Sequence, residues 1–180
     1  MDIGRQSYLK PGEFCLRTKP GQIITILGSC VALTFFDPSS RVGAICHAVH
    51  PYCQHMATCR EYCGHCFVYV ACAIPAMIEQ LRFYGIDQKR MELKLFGGAS
   101  LLNSRAPQSR YISVGRQNTE AAFAILQDRG LPLKVAEVGG GIGRKLIFDT
   151  ASGNVWVKRL IGIQSPIAWQ GLLKTVPKPL

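Results

Sequence analysis

The sequence predicts a single-domain α/β protein. Three observations carry this reading. Short β-type runs recur along most of the chain, two helical stretches separate them, and 180 residues suffice to bury one sizeable core. The composition, 48% hydrophobic and 18% charged, is that of a globular protein and argues against wholesale disorder.

The elements follow in order. Gln22–Leu27 is a β-type run closed by Gly28-Ser29. Residues 31–36 and 42–49 are two further apolar strands. Between them, Asp37-Pro38-Ser39-Ser40 carries turn chemistry: an acceptor side chain first, a preset φ second, then small polar residues. Residues 51–65 lack hydrophobic periodicity and read as a loop. Residues 67–84 read as a helix that Pro75 kinks and Gly85 caps. Residues 91–96 alternate as a strand running into Gly97-Gly98. Asn118 or Thr119 can cap a second helix through Arg129, with Gly130-Leu131-Pro132 as its stop. Residues 134–138 form a strand before a glycine-rich loop, and residues 146–149 and 155–160 form a hairpin through Ser152-Gly153-Asn154. Residues 1–162 are read as the domain and 163–180 as a tail with at most one short helix.

Charge and cysteine usage narrow the function classes. A net charge of +10 favours acidic partners, but the basic residues are scattered, with no dense run or aromatic platform. An acidic protein fits that pattern at least as well as nucleic acid, which is not expected as a partner. The N-terminal residues have no apolar signal core, and the longest apolar run, residues 67–78, is too short to span a bilayer. A cytoplasmic protein without membrane insertion is expected. Its eight cysteines then read as thiols, metal ligands or a nucleophile, not as disulfides.

The turn at Asp37 brings one cysteine to a histidine. If Asp37 stands opposite Ser40, Phe36 faces Arg41 and Cys30 faces His47 on one side of the sheet. Directly opposed Cβ atoms lie roughly 4.5–5.5 Å apart, within reach of a thiol–imidazole hydrogen bond. Such a pair can exist as thiolate and imidazolium, the activated form of thiol enzymes. The Gly28-Ser29 bend could present backbone N–H groups to an oxyanion. The competing reading is a small buried sulfur beside a satisfied core histidine.

Several segments, in order, resemble one family: LGSCVALTFFDP, RVGAICHAVHP, KLFGGASLL, VGRQN and GGGIGRKLIFDTASGNVWVKRL. They resemble CheD, the chemoreceptor glutamine deamidase family of bacterial chemotaxis, over roughly residues 21–160. The resemblance implies an α/β layered sandwich with mixed or antiparallel sheets flanked by helices, related in outline to glutamine-deamidating toxin domains. It implies a cysteine hydrolase with Cys30 as nucleophile, His47 as its histidine and Thr25 as the family threonine. The implied reaction converts receptor glutamines to glutamate with release of ammonia. Glutamyl methylesterase activity and a non-catalytic, metal-stapled binding module are the alternatives. Implied partners are the helical cytoplasmic domains of chemoreceptors and a CheC-type phosphatase.

Two further motifs stand out in the sequence. Gly139-Gly140-Gly141-Ile142-Gly143-Arg144-Lys145 fits neither the phosphate loop nor the dinucleotide fingerprint, and reads as a tight turn with Arg144 and Lys145 turned toward an acidic partner. Cys53, Cys59, Cys63 and Cys66 could hold a structural zinc ion or an iron–sulfur cluster. The expected reaction itself requires no cofactor.

Overall fold

The computed structural model describes residues 6–53, 64–100 and 112–161. Its strands are β1 (Gln6–Tyr8), β2 (Phe14–Arg17), β3 (Gln22–Leu27), β4 (Val31–Asp37), β5 (Val42–Ala48), β6 (Glu92–Gly97), β7 (Leu133–Val138), β8 (Arg144–Asp149) and β9 (Val155–Arg159). Two α-helices, α1 (Val70–Phe83) and α2 (Val114–Asp128), flank β6 in sequence.

The strands form two mixed sheets, ordered β1-β3-β8-β9 and β2-β5-β4-β6-β7. The outer pairs β1–β3 and β6–β7 are parallel, and the remaining pairs are antiparallel. Strand β4 shows how the layers stack. Its odd-numbered side chains Val31, Leu33 and Phe35 pack with Ala73, Ile74 and Met77 of α1 and with Ala121, Ala122 and Leu126 of α2. Its even-numbered Ala32 and Phe36 pack with Ile23 and Leu27 of β3 and with Leu146 and Phe148 of β8. The five-stranded sheet therefore lies between a helical layer and the four-stranded sheet. This is the α/β layered sandwich that the sequence predicts. Both faces of β4 are covered, which explains why all of its residues are buried and most are apolar. Each large side chain buried there contributes roughly 1.5–3 kcal/mol.

Both helix stops fall where glycine predicts them. Gly85 adopts φ +71° and Gly130 φ +63°. In each case the following residue's N–H reaches back five residues, Ile86 to Leu81 and Leu131 to Leu126. The helix starts differ from expectation. Residues 66–68 form a separate 3-10 turn, because the Val68 carbonyl accepts from the N–H groups of both Val49 and His50. Helix α1 begins only at Val70 and runs on past Pro75. Helix α2 begins at Val114, capped by Ser113 Oγ accepting from Arg116 N at 3.3 Å, so Asn118 and Thr119 are interior residues and not caps.

The Asp37 turn is longer than expected. Asp37 pairs with Val42, leaving Pro38, Ser39, Ser40 and Arg41 in the loop, with Arg41 at φ 56°. The Asp37 carboxylate accepts from Ser39 N at 3.1 Å and Ser40 Oγ at 2.8 Å, so the side chain builds the turn within the loop. The residues expected to form the C-terminal tail lie outside those described. Among the described residues, no helix is long and apolar enough to cross a membrane.

Candidate active site

Strands β3 and β5 face each other across the space between the sheets. On β3, Ile23 and Leu27 point into that space, and Thr25 shares their face by the two-residue period. On β5, Ile45 points the same way, and so does His47 two residues further on. Thr25 and His47 thus meet as buried polar groups in apolar surroundings, where an unpaired hydroxyl or imidazole is costly.

The Thr25 hydroxyl lies 2.8 Å from the Leu9 carbonyl oxygen and 2.8 Å from His47 Nδ1. A hydroxyl has one hydrogen, and a carbonyl can only accept. Thr25 therefore donates to Leu9, and His47 Nδ1–H donates to Thr25. This chain of bonds fixes the tautomer: Nε2 carries the lone pair. Nε2 is buried and has no hydrogen-bond partner among the described residues. The N-terminal loop also holds the strand, since His47 N donates to Glu13 O at 3.0 Å and Gly12 N to His47 O at 2.7 Å.

Cys30 lies in the bend between β3 and β4, half-buried against the same inter-sheet cluster. The expected pairing with His47 needs correction. Ala32 is the residue opposite His47, and the ladder ends at Val31–Ala48. The longer Asp37 loop shifts the register by two residues. An even shift keeps every side chain on its face, so Cys30 still shares the face of His47, as a diagonal neighbour. Diagonal neighbours lie roughly 7–8 Å apart, and His47 Nε2 makes no hydrogen bond to the Cys30 thiol.

Burial sets the electrostatics. It pushes the Cys30 thiol above its ordinary range, partly offset by the residue's own backbone N–H beside the sulfur. It pushes His47 down to about 4, against the raising influence of the Leu9 carbonyl and the Glu13 charge. At neutral pH the resting pair is thus thiol and neutral imidazole, not thiolate and imidazolium. A neutral imidazole whose Nε2 lone pair has no hydrogen-bond partner can accept a proton when a thiol attacks.

The bend itself is held firmly. The carbonyls of Gly28, Ser29 and Cys30 accept from Ala99 N at 2.9 Å, Asn118 Nδ2 at 2.9 Å and Gly98 N at 2.8 Å. Gly97 adopts φ +107°, and a Cβ there would stand 2.2 Å from the Cys30 carbonyl oxygen. Gly97 is glycine because the Cys30 backbone passes directly over it, and Gly98 because a Cβ there would stand 2.3 Å from Thr119 Cγ2 of α2. Sequence reasoning treated Asn118 only as a cap. Its signal was a weak helix former inside a helical pattern, with no capping duty to explain it.

The remaining sequence candidates separate. Arg144 and Lys145 are buried, contrary to the expectation of an exposed basic pair. Arg144 donates to the carbonyls of Glu137 and Gly139 and to the Glu137 carboxylate, so it anchors the glycine turn from inside. Of the metal-ligand candidates, Cys53 and Cys66 are half-buried at either end of the loop, whereas Cys59 and Cys63 lie outside the described residues.

The fold is a three-layer α/β sandwich whose candidate site sets a half-buried cysteine, on a glycine-lined bend, on the same face as a buried histidine. Comparison with known proteins is specific. The family model described as CheD chemotactic sensory transduction matches residues 59–159. A protein of Maridesulfovibrio salexigens named "Probable chemoreceptor glutamine deamidase CheD" is 39% identical over 87% of this chain and 92% of its own length. A Geobacter sulfurreducens protein named "Probable chemoreceptor glutamine deamidase CheD 2" is 42% identical over 85% of this chain and 89% of its own. A third relative, from Nitratidesulfovibrio vulgaris, is 37% identical over 93% of this chain and 84% of its own. This last match necessarily takes in the strands carrying Thr25, Cys30 and His47, which the family-model match does not reach. The chain belongs to the CheD family.

Proposed function

We propose that this protein hydrolyses the side-chain amide of glutamines on chemoreceptor signalling domains, with Cys30 as nucleophile, His47 as acid–base and Thr25 as the residue that orients His47. The observation that carries the reading is the buried His47 Nε2, held as a lone-pair acceptor by the Thr25–Leu9 relay on the face shared with Cys30. The names of the relatives supply the substrate class.

The chemistry balances without any further reactant than water. Cys30 Sγ bonds to the glutamine amide carbon while its proton passes to His47 Nε2. The tetrahedral oxyanion faces the Gly28-Ser29-Cys30 bend, where a backbone N–H can stabilise it. The C–N bond then breaks, His47 returns the proton to the leaving nitrogen, and ammonia departs. Water attacks the resulting thioester, giving its proton to Nε2. The thiol leaves protonated, and glutamate remains. A glutamyl methyl ester follows the same path with methanol as the leaving group. Because the resting pair is neutral, proton transfer accompanies attack and does not precede it.

Under this reading the protein acts in the cytoplasm, where receptor signalling domains lie. The surface around Cys30 receives an exposed side chain of a receptor helix, and a CheC-type phosphatase can compete for that face. The test is ammonia release from a purified receptor signalling fragment, run beside methanol release from the same fragment after methylation. Stoichiometric ammonia supports the amidase. Methanol without ammonia would point to an esterase, and neither product to a binding module.

A further inference from the structure

The proposed chemistry makes no use of Asn118, which is fully buried in the second turn of α2. Its Nδ2 donates to two backbone carbonyls, Ser29 O and Val49 O, each at 2.9 Å. Both acceptors lack hydrogens, so the amide can point only one way, with nitrogen toward the two chains. Its Oδ1 is buried with no partner among the described residues. A buried side chain left half-satisfied inside a helix marks a position where those two bonds outweigh the local cost.

The two acceptors sit beside the reactive residues. Ser29 immediately precedes Cys30, and Val49 lies two residues after His47. The β4–β5 ladder closes with the pair Val31–Ala48, and one step further the same register sets Cys30 opposite Val49. No ladder pair spans that step. The Asn118 amide bridges it from α2, tying the start of β4 to the end of β5.

The helix that carries Asn118 is itself held at a fixed height. A Cβ on Gly115 would stand 2.5 Å from the carbonyl oxygens of Gly98 and Ala99, and one on Gly98 would stand 2.3 Å from Thr119 Cγ2. Gly98 and Ala99 in turn hold the carbonyls of Cys30 and Gly28. Backbone contact at glycine thus sets the distance from α2 to the Cys30 bend. Asparagine has the length for that gap and two amide hydrogens for two carbonyls. Aspartate has the length without the donors, and leucine the bulk without either.

We propose that Asn118 is a positioning residue for the Cys30–His47 pair: its amide spans the open end of the β4–β5 ladder and sets the separation of Sγ from Nε2. This rests on the reading of Cys30 and His47 as the reacting groups, so the test includes a readout that needs no substrate. The rate of alkylation of Cys30 by iodoacetamide at neutral pH is followed by peptide mass spectrometry in wild type, Asn118→Leu, His47→Ala and the double variant. Receptor deamidation is measured in parallel, and Leu126→Ala on the same helix serves as a control for lost stability.

The expected result is a kcat about a hundredfold lower in Asn118→Leu with KM nearly unchanged, the scale of a small misplacement of reacting groups. Leu126→Ala should lower the melting temperature and leave kcat near wild type. Asn118→Leu should slow Cys30 alkylation when His47 is present and have no effect in the His47→Ala background. Equal slowing in both backgrounds, or a kcat no lower than that of Leu126→Ala, would overturn the proposal. If Asn118→Leu does not fold, Asn118→Ala carries the same comparison. Should Cys30→Ala still deamidate, the parent reading fails. If Cys30→Ala is inactive and Asn118→Leu behaves as wild type, only the positioning role is lost.

Discussion

Both faces of the five-stranded sheet carry cysteines, Cys46 on one and Cys15 and Cys30 on the other, and Cys46 and Cys30 have different surroundings. Cys46 points toward the helices, is buried in the larger apolar cluster, and has its pKa pushed up to about 11 by that burial. Cys30 points toward the other sheet, sits in a bend between two strands, and is half-buried. The adjacent residues Cys46 and His47 divide the same way, one to each face. What separates the surroundings of these two sulfurs is strand parity and the position of the chain bend. Burial of the side chain alone does not decide it, since both thiols are raised.

The largest expected effect concerns the polar face. His47→Gln removes the base and should lower kcat for deamidation by about 10²–10⁴-fold, read as the rate of glutamate formation. A loss smaller than tenfold would make the two faces chemically alike. Thr25 comes next. Thr25→Val strands the Leu9 carbonyl and His47 Nδ1–H, costing about 1–3 kcal/mol of stability and releasing the tautomer. Thr25→Ser keeps the hydroxyl and should restore both stability and activity. Chemical denaturation and steady-state rates on the two variants separate these outcomes.

The same histidine couples stability to pH. Its pKa falls from an ordinary 6.5 to about 4 on folding, so the unfolded chain binds the extra proton between those values. The stability that this neutral burial contributes is present above pH 6.5 and lost as pH falls toward 4. It amounts to at most about 3 kcal/mol. Denaturation midpoints of wild type should therefore fall more steeply across that window than those of His47→Gln. Parallel curves would show that His47 is not held neutral. The smallest effect belongs to the apolar face: Cys46→Ala should cost about 1–2 kcal/mol of stability and leave deamidation unchanged.

The sequence made much of this site legible, for identifiable reasons. Strand β3 matched its predicted bounds because a β-type run rich in isoleucine ends at Gly28-Ser29. The glycine stops at Gly85 and Gly130 were visible because only glycine adopts those φ values at low cost. The face shared by Cys30 and His47 survived a wrong register because the error was even. The register itself depended on how the Asp37 carboxylate folds the loop, which residue types do not reveal. Strands β1 and β2 escaped notice because they are three and four residues long and are defined by pairing with β3 and β5, not by a pattern of their own. The Leu9 carbonyl could not be inferred, since a backbone acceptor carries no sequence signal. Arg144 and Lys145 read as surface charge, and only the packing of β8 shows them turned inward.

The central claim is that Cys30, and not its buried counterpart, performs the reaction. Its most direct test is conversion of glutamine to glutamate on a receptor signalling domain, read by mass spectrometry for wild type, Cys30→Ala and Cys46→Ala. The account predicts conversion by wild type and Cys46→Ala and none by Cys30→Ala, with all three folded by circular dichroism. Conversion by folded Cys30→Ala at the wild-type rate would contradict it.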